Sequence, residues 1–85
     1  MVPVVIYTRA FCSYCTWAKE LLRRKGVAFE EIDVTAEQQR RAEMVQRANG
    51  ETTTPQIFIG STHVGGCDEL YALERTGQLD ALLAA

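Results

Sequence analysis

Strand-like and helix-like patterns alternate along this chain, and that alternation constrains the fold more than any other feature. Val2–Tyr7 is apolar and β-rich, whereas Ser13–Lys25 has apolar residues at three- and four-residue spacings and ends at Gly26. The remaining predicted elements are a strand at Val27–Val34, a helix at Ala36–Asn49, strands at Gln56–Ile59 and Thr62–Val64, a helix from Asp68 to Arg75 and a last helical turn at Gln78–Leu83. The order β-α-β-α-β-β-α predicts an α/β fold, a four-stranded mixed sheet flanked by helices on both faces.

Two helix faces are expected to pack on this sheet. The predicted face of the first helix consists of Tyr14, Trp17, Ala18, Leu21 and Leu22. The predicted face of the second helix consists of Ala42, Val45 and Ala48.

Size and charge limit the partners. The chain has 85 residues, 47% of them hydrophobic, which predicts a single domain over residues 1–85. A formal net charge of -2 gives no reason to expect a nucleic-acid or anionic-membrane surface. Val2–Tyr7, the longest apolar run, is too short to span a bilayer and does not resemble a secretory signal. We therefore expect a cytoplasmic protein, with removal of an organelle-targeting segment left open.

The most reactive motif in the sequence is Cys12-Ser13-Tyr14-Cys15, between the first strand and the first helix. A sulfur at a helix N-terminus lies near free backbone N–H groups and the positive end of the helix dipole, which favour the thiolate. We expect Cys12 to be the nucleophile. Cys15, one turn into the helix, should have the higher pKa and act as the resolving thiol.

Zinc sites use the same cysteine spacing but need two further ligands. Only Cys67 and His63 are available for that role, and both are distant in the sequence. Their alternative interpretations are a buried thiol at a helix start and an exposed strand residue. With three cysteines and strand–helix alternation, a redox interpretation is favoured over a metal site.

Two later segments are candidates for ligand contacts. In Thr53-Thr54-Pro55-Gln56, a cis Thr54–Pro55 bond would direct the Thr54 backbone groups into the site, although only about 5–6% of X-Pro bonds are cis. In Gly65-Gly66-Cys67-Asp68, the glycines allow close approach of a ligand to the backbone. Asp68 is expected either to cap the following helix or to receive an ammonium group.

Arginines provide the candidate cations. Arg9, in the loop before the cysteines, is expected to attract a carboxylate and to favour the Cys12 thiolate further. The simpler interpretation of Arg9, and of Arg40 and Arg41 on the second helix, is solvated charge, and Arg9 is the expected exception because its loop must lie beside the site.

Together, and in this order, these segments resemble the glutaredoxin family. The matching segments are Tyr7-Thr8-Arg9 with the Cys12–Cys15 motif, Thr53-Thr54-Pro55-Gln56-Ile57-Phe58-Ile59, and Gly65-Gly66-Cys67-Asp68-Glu69-Leu70. The resemblance extends over nearly the whole chain. It implies a thioredoxin fold, a cis Pro55 and a thiol–disulfide oxidoreductase that uses glutathione as its co-substrate.

The resemblance also implies a glutathione site. Its residues would be Arg9, Tyr14, Arg40, Thr54, Pro55, Gly66, Cys67 and Asp68. Tyr14 would lie beside the dithiol, the Thr54 backbone against the cysteine of glutathione, and Cys67 with Asp68 at its γ-glutamyl end. Arg9 and a second-helix residue would hold the glycine carboxylate; Arg40 is our choice, with Gln39 and Arg41 open.

The activity implied is reduction of protein–glutathione mixed disulfides and protein disulfides by a monomer, through Cys12 and Cys15. Ser13, however, replaces the proline that is usual in the family. A serine there is associated with some members that bind a glutathione-ligated [2Fe–2S] cluster between two subunits. A cluster-binding dimer with Cys12 as a ligand is therefore the alternative, and a thioredoxin-like protein served by a dedicated reductase is a third.

Two other residues differ from the usual family pattern. Thr54 stands where valine is common, which should matter little if only its backbone is used. Trp17 is interpreted as a packing residue on the helix face, with a role near the site left open.

Overall fold

The architecture is that of a four-stranded mixed sheet with helices on both faces, as predicted. The computed structural model describes residues 2–85. Its elements are β1 (Val4–Thr8), α1 (Ser13–Arg24), β2 (Glu30–Asp33), α2 (Gln38–Arg47), β3 (Gln56–Ile59), β4 (Thr62–Gly65), α3 (Cys67–Arg75) and α4 (Gln78–Ala84). None of the helices within residues 2–85 is long and apolar enough to cross a membrane.

The strands are ordered β2-β1-β3-β4 in the sheet. β1 runs parallel to β2, with Val5 opposite Glu30, and antiparallel to β3, with Val4 opposite Ile59. β3 and β4 form an antiparallel hairpin whose turn includes Gly60 at φ 59°, a conformation that glycine adopts without a steric penalty. The carboxyl end of β1 therefore leads into α1 beside the amino end of β3, where Thr54 and Pro55 lie.

Successive residues of β1 point to opposite faces of the sheet and belong to separate cores. On one face Ile6 packs with residues of α1, α3 and α4, including Leu21, Leu70 and Leu79. On the other face Tyr7 packs with Met44, which belongs to α2. Because each face of the sheet is covered by a core, side chains on both faces of β1 are apolar, and the strand shows no apolar–polar alternation.

Some predicted boundaries and packing faces were wrong. The second strand is Glu30–Asp33 rather than Val27–Val34, and the second helix is Gln38–Arg47 rather than Ala36–Asn49. Ala42 is exposed, and Met44 with Ala48 forms the buried face of α2. Residues spaced by three, as in the predicted face, shift by about 60° around the helix at each step and so drift off one face. Met44 and Ala48 are spaced by four and stay on the same face.

The start of α3 also differs from the prediction. Gly66 is the N-cap and Cys67 is the first helical residue, so Asp68 does not cap the helix. Gly65, at φ 110°, and the extended Gly66 let the chain turn directly into the helix. The backbone N–H of Gly66 donates to the Glu69 carboxylate at 2.7 Å, which holds this turn in place.

Candidate active site

Cys12 is the N-cap of α1, which brings its sulfur to the exposed N–H groups of the first turn. The backbone N–H of Cys15 donates a hydrogen bond to Cys12 Sγ at 3.2 Å. Cys12 is half-buried, whereas Cys15 is only 2% exposed. The position of the motif before a helix is thus the feature that separates the environments of its two thiols.

The pKa values of these two thiols shift in opposite directions, as expected. Burial opposes ionisation of Cys12, but hydrogen bonds from Cys15 and Thr54 and the charge of Arg9 outweigh it and hold the pKa of Cys12 below its usual value. Burial raises the pKa of Cys15 to about 11, and its hydrogen bond to Cys12 acts in the same direction. Of the two thiols, Cys12 therefore ionises the more readily, and Cys15 keeps its proton at neutral pH.

Thr54 contacts the nucleophile with both its backbone and its side chain. The Thr54–Pro55 bond is cis, as the family resemblance implied. The Cys12 thiol lies 3.8 Å from the Thr54 carbonyl oxygen, to which it donates. The Thr54 hydroxyl also lies 3.8 Å from Cys12 Sγ, to which it donates, and it accepts from Arg9 Nε at 3.1 Å. Because the Thr54 side chain also contacts the nucleophile, the condition under which valine would serve equally well, use of the backbone alone, is not met.

A cavity of about 750 Å³ lies beside this dithiol. Seven of the predicted site residues line it: Arg9, Tyr14, Thr54, Pro55, Gly66, Cys67 and Asp68. Cys12 and Cys15 instead line an adjoining cavity of about 570 Å³, which shares Arg9, Ala10 and Phe11 with the first. The Cys12 sulfur thus lies at the boundary between the two cavities, beside the Thr54 carbonyl.

The second helix contributes Arg41 to the larger cavity, not Arg40. Arg40 lies outside it, with Nε 3.5 Å from Glu43 one turn along the helix. Gln39 is exposed and is not among the lining residues. Residues one apart on a helix differ in direction by about 100°, so Arg40 and Arg41 point in different directions from the same helix. The prediction that Arg40 is the second-helix residue in the ligand site is therefore wrong, because Arg41 lines the cavity.

Charges of opposite sign lie at different parts of this cavity. Arg9 and Arg41 line it from the loop after β1 and from α2. Asp68 lines it from the first turn of α3. A ligand with a carboxylate at one end and an ammonium group at the other matches this distribution.

Cys67 and His63, the two further candidates for zinc ligands, are both at least partly buried by contacts within the fold. Cys67 is buried at the first position of α3, and burial, followed by the charge of Asp68, raises the pKa of its thiol. His63 is half-buried rather than exposed, because its ring stacks on Phe58 and its Nε2 lies 2.7 Å from Gln56 Oε1. Within residues 2–85, no three histidine, cysteine or carboxylate side chains are grouped so that they could hold a metal ion.

Three aromatic side chains near the dithiol are exposed, namely Phe11, Tyr14 and Trp17. Phe11 is fully exposed and its backbone has φ 57°, which is uncommon for a bulky residue. Sequence reasoning assigned Phe11 no role and placed the other two on the packing face of α1. That face consists instead of Cys15, Ala18, Leu21 and Leu22. Only the position of Phe11, directly before the nucleophile, could have drawn attention to it.

Comparison with known proteins agrees with this geometry. The sequence profile of the glutaredoxin family matches residues 4–64. The chain is 62% identical over 85 residues to a glutaredoxin of Pseudomonas aeruginosa, and the match covers 100% of both chains.

Two solved structures show the same fold. The solution structure of glutaredoxin from Brucella melitensis is 63% identical, with a TM-score of 0.85 over 98% of this chain and 89% of the other. The crystal structure of a buckwheat glutaredoxin–glutathione complex is 31% identical, with a TM-score of 0.87 over 98% of this chain and 77% of the other. With its low-pKa thiol at the start of α1 and its cis Pro55, the chain belongs to the glutaredoxin family of thiol–disulfide oxidoreductases.

Proposed function

We propose that this protein uses glutathione to reduce protein–glutathione mixed disulfides and protein disulfides. The observation that most supports this is the pairing of a low-pKa Cys12 with a cavity lined by Arg9 and Arg41 and by Asp68. Glutathione has the glycine carboxylate on one side of its thiol, and the ammonium group and second carboxylate of its γ-glutamyl residue on the other. The cations and Asp68 of the cavity match these two ends. The similar buckwheat protein, solved in complex with glutathione, supports the same ligand.

The first reaction needs only Cys12. Its thiolate attacks the glutathione sulfur of a mixed disulfide, and the S–S bond to the substrate protein breaks as a bond to Cys12 forms. The substrate leaves as a thiolate and takes up a proton. A second glutathione thiolate then attacks the glutathione sulfur bound to Cys12. Glutathione disulfide is released and the Cys12 thiolate is regenerated, so glutathione supplies both electrons.

The second reaction also needs Cys15. Cys12 attacks a protein disulfide and forms a mixed disulfide with one substrate sulfur. Cys15 then loses its proton, attacks Cys12 Sγ and expels the substrate thiolate, leaving a Cys12–Cys15 disulfide. Since the pKa of Cys15 is raised to about 11, its proton must leave as the attack proceeds, and the departing substrate thiolate takes up a proton. Two glutathione molecules then return the pair to the dithiol.

Serine variants of the two cysteines test these roles. Turnover of a glutathionylated peptide is measured as glutathione is varied, beside turnover of a disulfide-bonded protein. Cys15→Ser should keep the first activity and lose the second, accumulating a mixed disulfide at Cys12. Cys12→Ser should lose both. Equal losses in the two variants would contradict the assignment, and turnover independent of glutathione would favour a thioredoxin-like reductase.

A [2Fe–2S]-binding dimer is the second candidate, and Ser13 is the observation that favours it. Ser13 is exposed at the first position of α1, directly after the half-buried Cys12. One chain offers Cys12 as a ligand, so the remaining ligands would come from a second chain and from glutathione. Anaerobic purification with glutathione tests this: a coloured, iron-containing dimer supports it, and a colourless monomer without iron contradicts it.

The proposed cycle consumes reduced glutathione. We therefore retain the cytoplasm, a compartment that maintains this thiol, as the proposed location, and a monomer as the proposed state of the cluster-free protein. Fractionation of cells with an antibody against the chain would test the location.

A further inference from the structure

A second concave surface lies between the first and third helices. This α1–α3 groove has a volume of about 410 Å³ and is lined by Tyr14, Trp17, Cys67, Asp68, Tyr71 and Arg75. Trp17 and Tyr14, which are 49% and 55% exposed, meet edge to face with ring centroids 5.4 Å apart. The Tyr71 hydroxyl donates to the Trp17 carbonyl at 3.0 Å, which fixes the two helices at this point. The groove therefore has an exposed aromatic surface between two helices that a hydrogen bond joins.

The α1–α3 groove is continuous with the larger cavity beside the dithiol. Tyr14, Cys67 and Asp68 line both of them. A polypeptide joined by a disulfide to glutathione in the cavity would therefore have this groove beside it. Aromatic side chains and arginine are enriched at protein interfaces. The aromatic side chains bury much area at a small cost in side-chain entropy.

The charges of the groove differ along its length. Asp68 is in the first turn of α3 and Arg75 in its last, about 10 Å apart along the helix axis at about 1.5 Å per residue. Arg24, in the last turn of α1, donates from Nη2 to the Tyr71 hydroxyl at 3.4 Å. Neither arginine forms an ion pair with any carboxylate of residues 2–85. The end away from the dithiol thus presents two cations without an anionic partner.

We propose that the α1–α3 groove binds the substrate polypeptide next to its glutathionylated cysteine and selects segments with an apolar residue followed by a carboxylate. The apolar side chain would contact Trp17 and Tyr71, and the carboxylate would pair with Arg24 and Arg75. An extended chain advances about 3.3 Å per residue and so covers the distance from Asp68 to Arg75 in about three residues. With the cysteine placed beside Asp68, where the groove meets the cavity, the carboxylate should lie about three residues from it. This inference rests on the proposed function, whose substrate class it narrows.

Synthetic glutathionylated peptides test the charge preference. One set has Asp three residues before or after the cysteine, and matched peptides have Asn or Lys at that position. We expect the Asp peptide to have the highest kcat/KM on one side of the cysteine. Arg24→Ala and Arg75→Ala should each lower kcat/KM for the Asp peptide about two- to fivefold, the range for an exposed ion pair, with little change for the Asn peptide.

Arg23→Ala is the matched control. Arg23 lies beside Arg24 in the sequence, but its guanidinium lies 5.7 Å from the Phe29 ring centroid, whereas that of Arg24 hydrogen-bonds to Tyr71, which lines the groove. Its removal changes the net charge equally and should leave the Asp–Asn difference intact. An equal loss in Arg23→Ala would indicate general electrostatic attraction and overturn the proposal, as would equal kcat/KM for Asp and Asn peptides on both sides of the cysteine.

A small substrate separates this proposal from the proposed function. The mixed disulfide of glutathione and 2-mercaptoethanol has no polypeptide to occupy the groove. Trp17→Ala should lower kcat/KM for the peptides severalfold and leave kcat/KM for the small disulfide unchanged. Equal effects on both substrates would overturn the groove proposal alone. Failure of the unaltered protein to turn over the small disulfide would remove the proposed function, and this inference with it.

Discussion

The hydroxyl of Thr54 donates to the sulfur of Cys12 across 3.8 Å and accepts from Arg9 Nε across 3.1 Å. A hydroxyl has a single proton, and the bond from Arg9 occupies one of its oxygen lone pairs. The proton is thus free to point toward the sulfur. Arg9 therefore acts on Cys12 through its charge and also by orienting a neutral donor, an interaction that valine at this position could not provide.

Replacing this hydroxyl by a methyl group tests its contribution. Thr54→Val keeps the branched shape and the cis proline but removes the donor, so the pKa of Cys12 should rise. A hydrogen bond contributing about 1 kcal/mol corresponds to roughly a fivefold slower reaction of Cys12 with iodoacetamide at pH values below its pKa. The measurement is alkylation rate against pH. Thr62→Val, at an exposed position of β4, is the matched control and should leave the profile unchanged.

The opposite pKa shifts of the two thiols predict a separation of their reactivities with pH. The rate for Cys12 should rise with pH and level off before the rate for a free cysteine does, because its pKa is lowered. Cys15, with a pKa of about 11, should stay protonated and unreactive through the neutral range. Brief alkylation at neutral pH followed by peptide mass mapping should find Cys12 modified first. Equal labelling of both thiols at neutral pH would contradict these shifts.

Much of the fold could be predicted from the sequence because the apolar positions follow the periods of helices and strands. Gln56–Ile59 was predicted with its observed bounds. The buried face of α2 was predicted less well, because Ala42, Val45 and Ala48 form an apolar pattern with a spacing of three residues. That pattern leaves out Met44, which is fully buried. The start of α3 was misplaced because a positive φ at Gly65 is a property of the folded backbone that a glycine pair only permits.

Within the site, residue type and sequence spacing were enough to identify the residues whose position depends only on the neighbouring helix. Cys12 and Cys15 follow from their position before a helix. The roles of other residues depend on contacts between distant segments. Neither the bond from Arg9 to Thr54, 45 residues apart, nor the orientation of Arg41 into the cavity has a local pattern in the sequence.

The positions of the two neighbouring arginines of α2 predict different effects on glutathione binding, so that Arg40 serves as the control for Arg41. Arg41 lines the cavity, and Arg40 lies beside Glu43 outside it. Arg41→Ala should raise the KM for glutathione about two- to tenfold with little change in kcat, since a partly exposed guanidinium–carboxylate pair contributes about 1 kcal/mol. Arg40→Ala removes the same charge from the same helix and should change the KM much less. The reverse order would restore the assignment expected from the sequence.

The last prediction concerns Gln56, a fully buried side chain that connects β4 to the segment before Pro55. Its Nε2 donates to the carbonyl and the hydroxyl of Thr53 at 3.0 and 3.2 Å, so its Oε1 faces His63 Nε2 at 2.7 Å. That orientation requires His63 Nε2 to carry a proton. Gln56→Leu has a similar volume but leaves these partners without their bonds.

The free energy of unfolding should fall by about 1–3 kcal/mol in Gln56→Leu, because each of the lost hydrogen bonds contributes about 0.5–1.5 kcal/mol. His63→Phe keeps a ring to stack on Phe58 but leaves the buried Gln56 Oε1 without its partner, so it should also lower stability, by about 1–3 kcal/mol. Gln56→Leu should also raise the KM for glutathione, because Thr53 lines the cavity and precedes Thr54. Urea denaturation of both variants and their steady-state kinetics check these outcomes. Unchanged stability in Gln56→Leu would show that the buried amide does not hold the Thr53 segment in place.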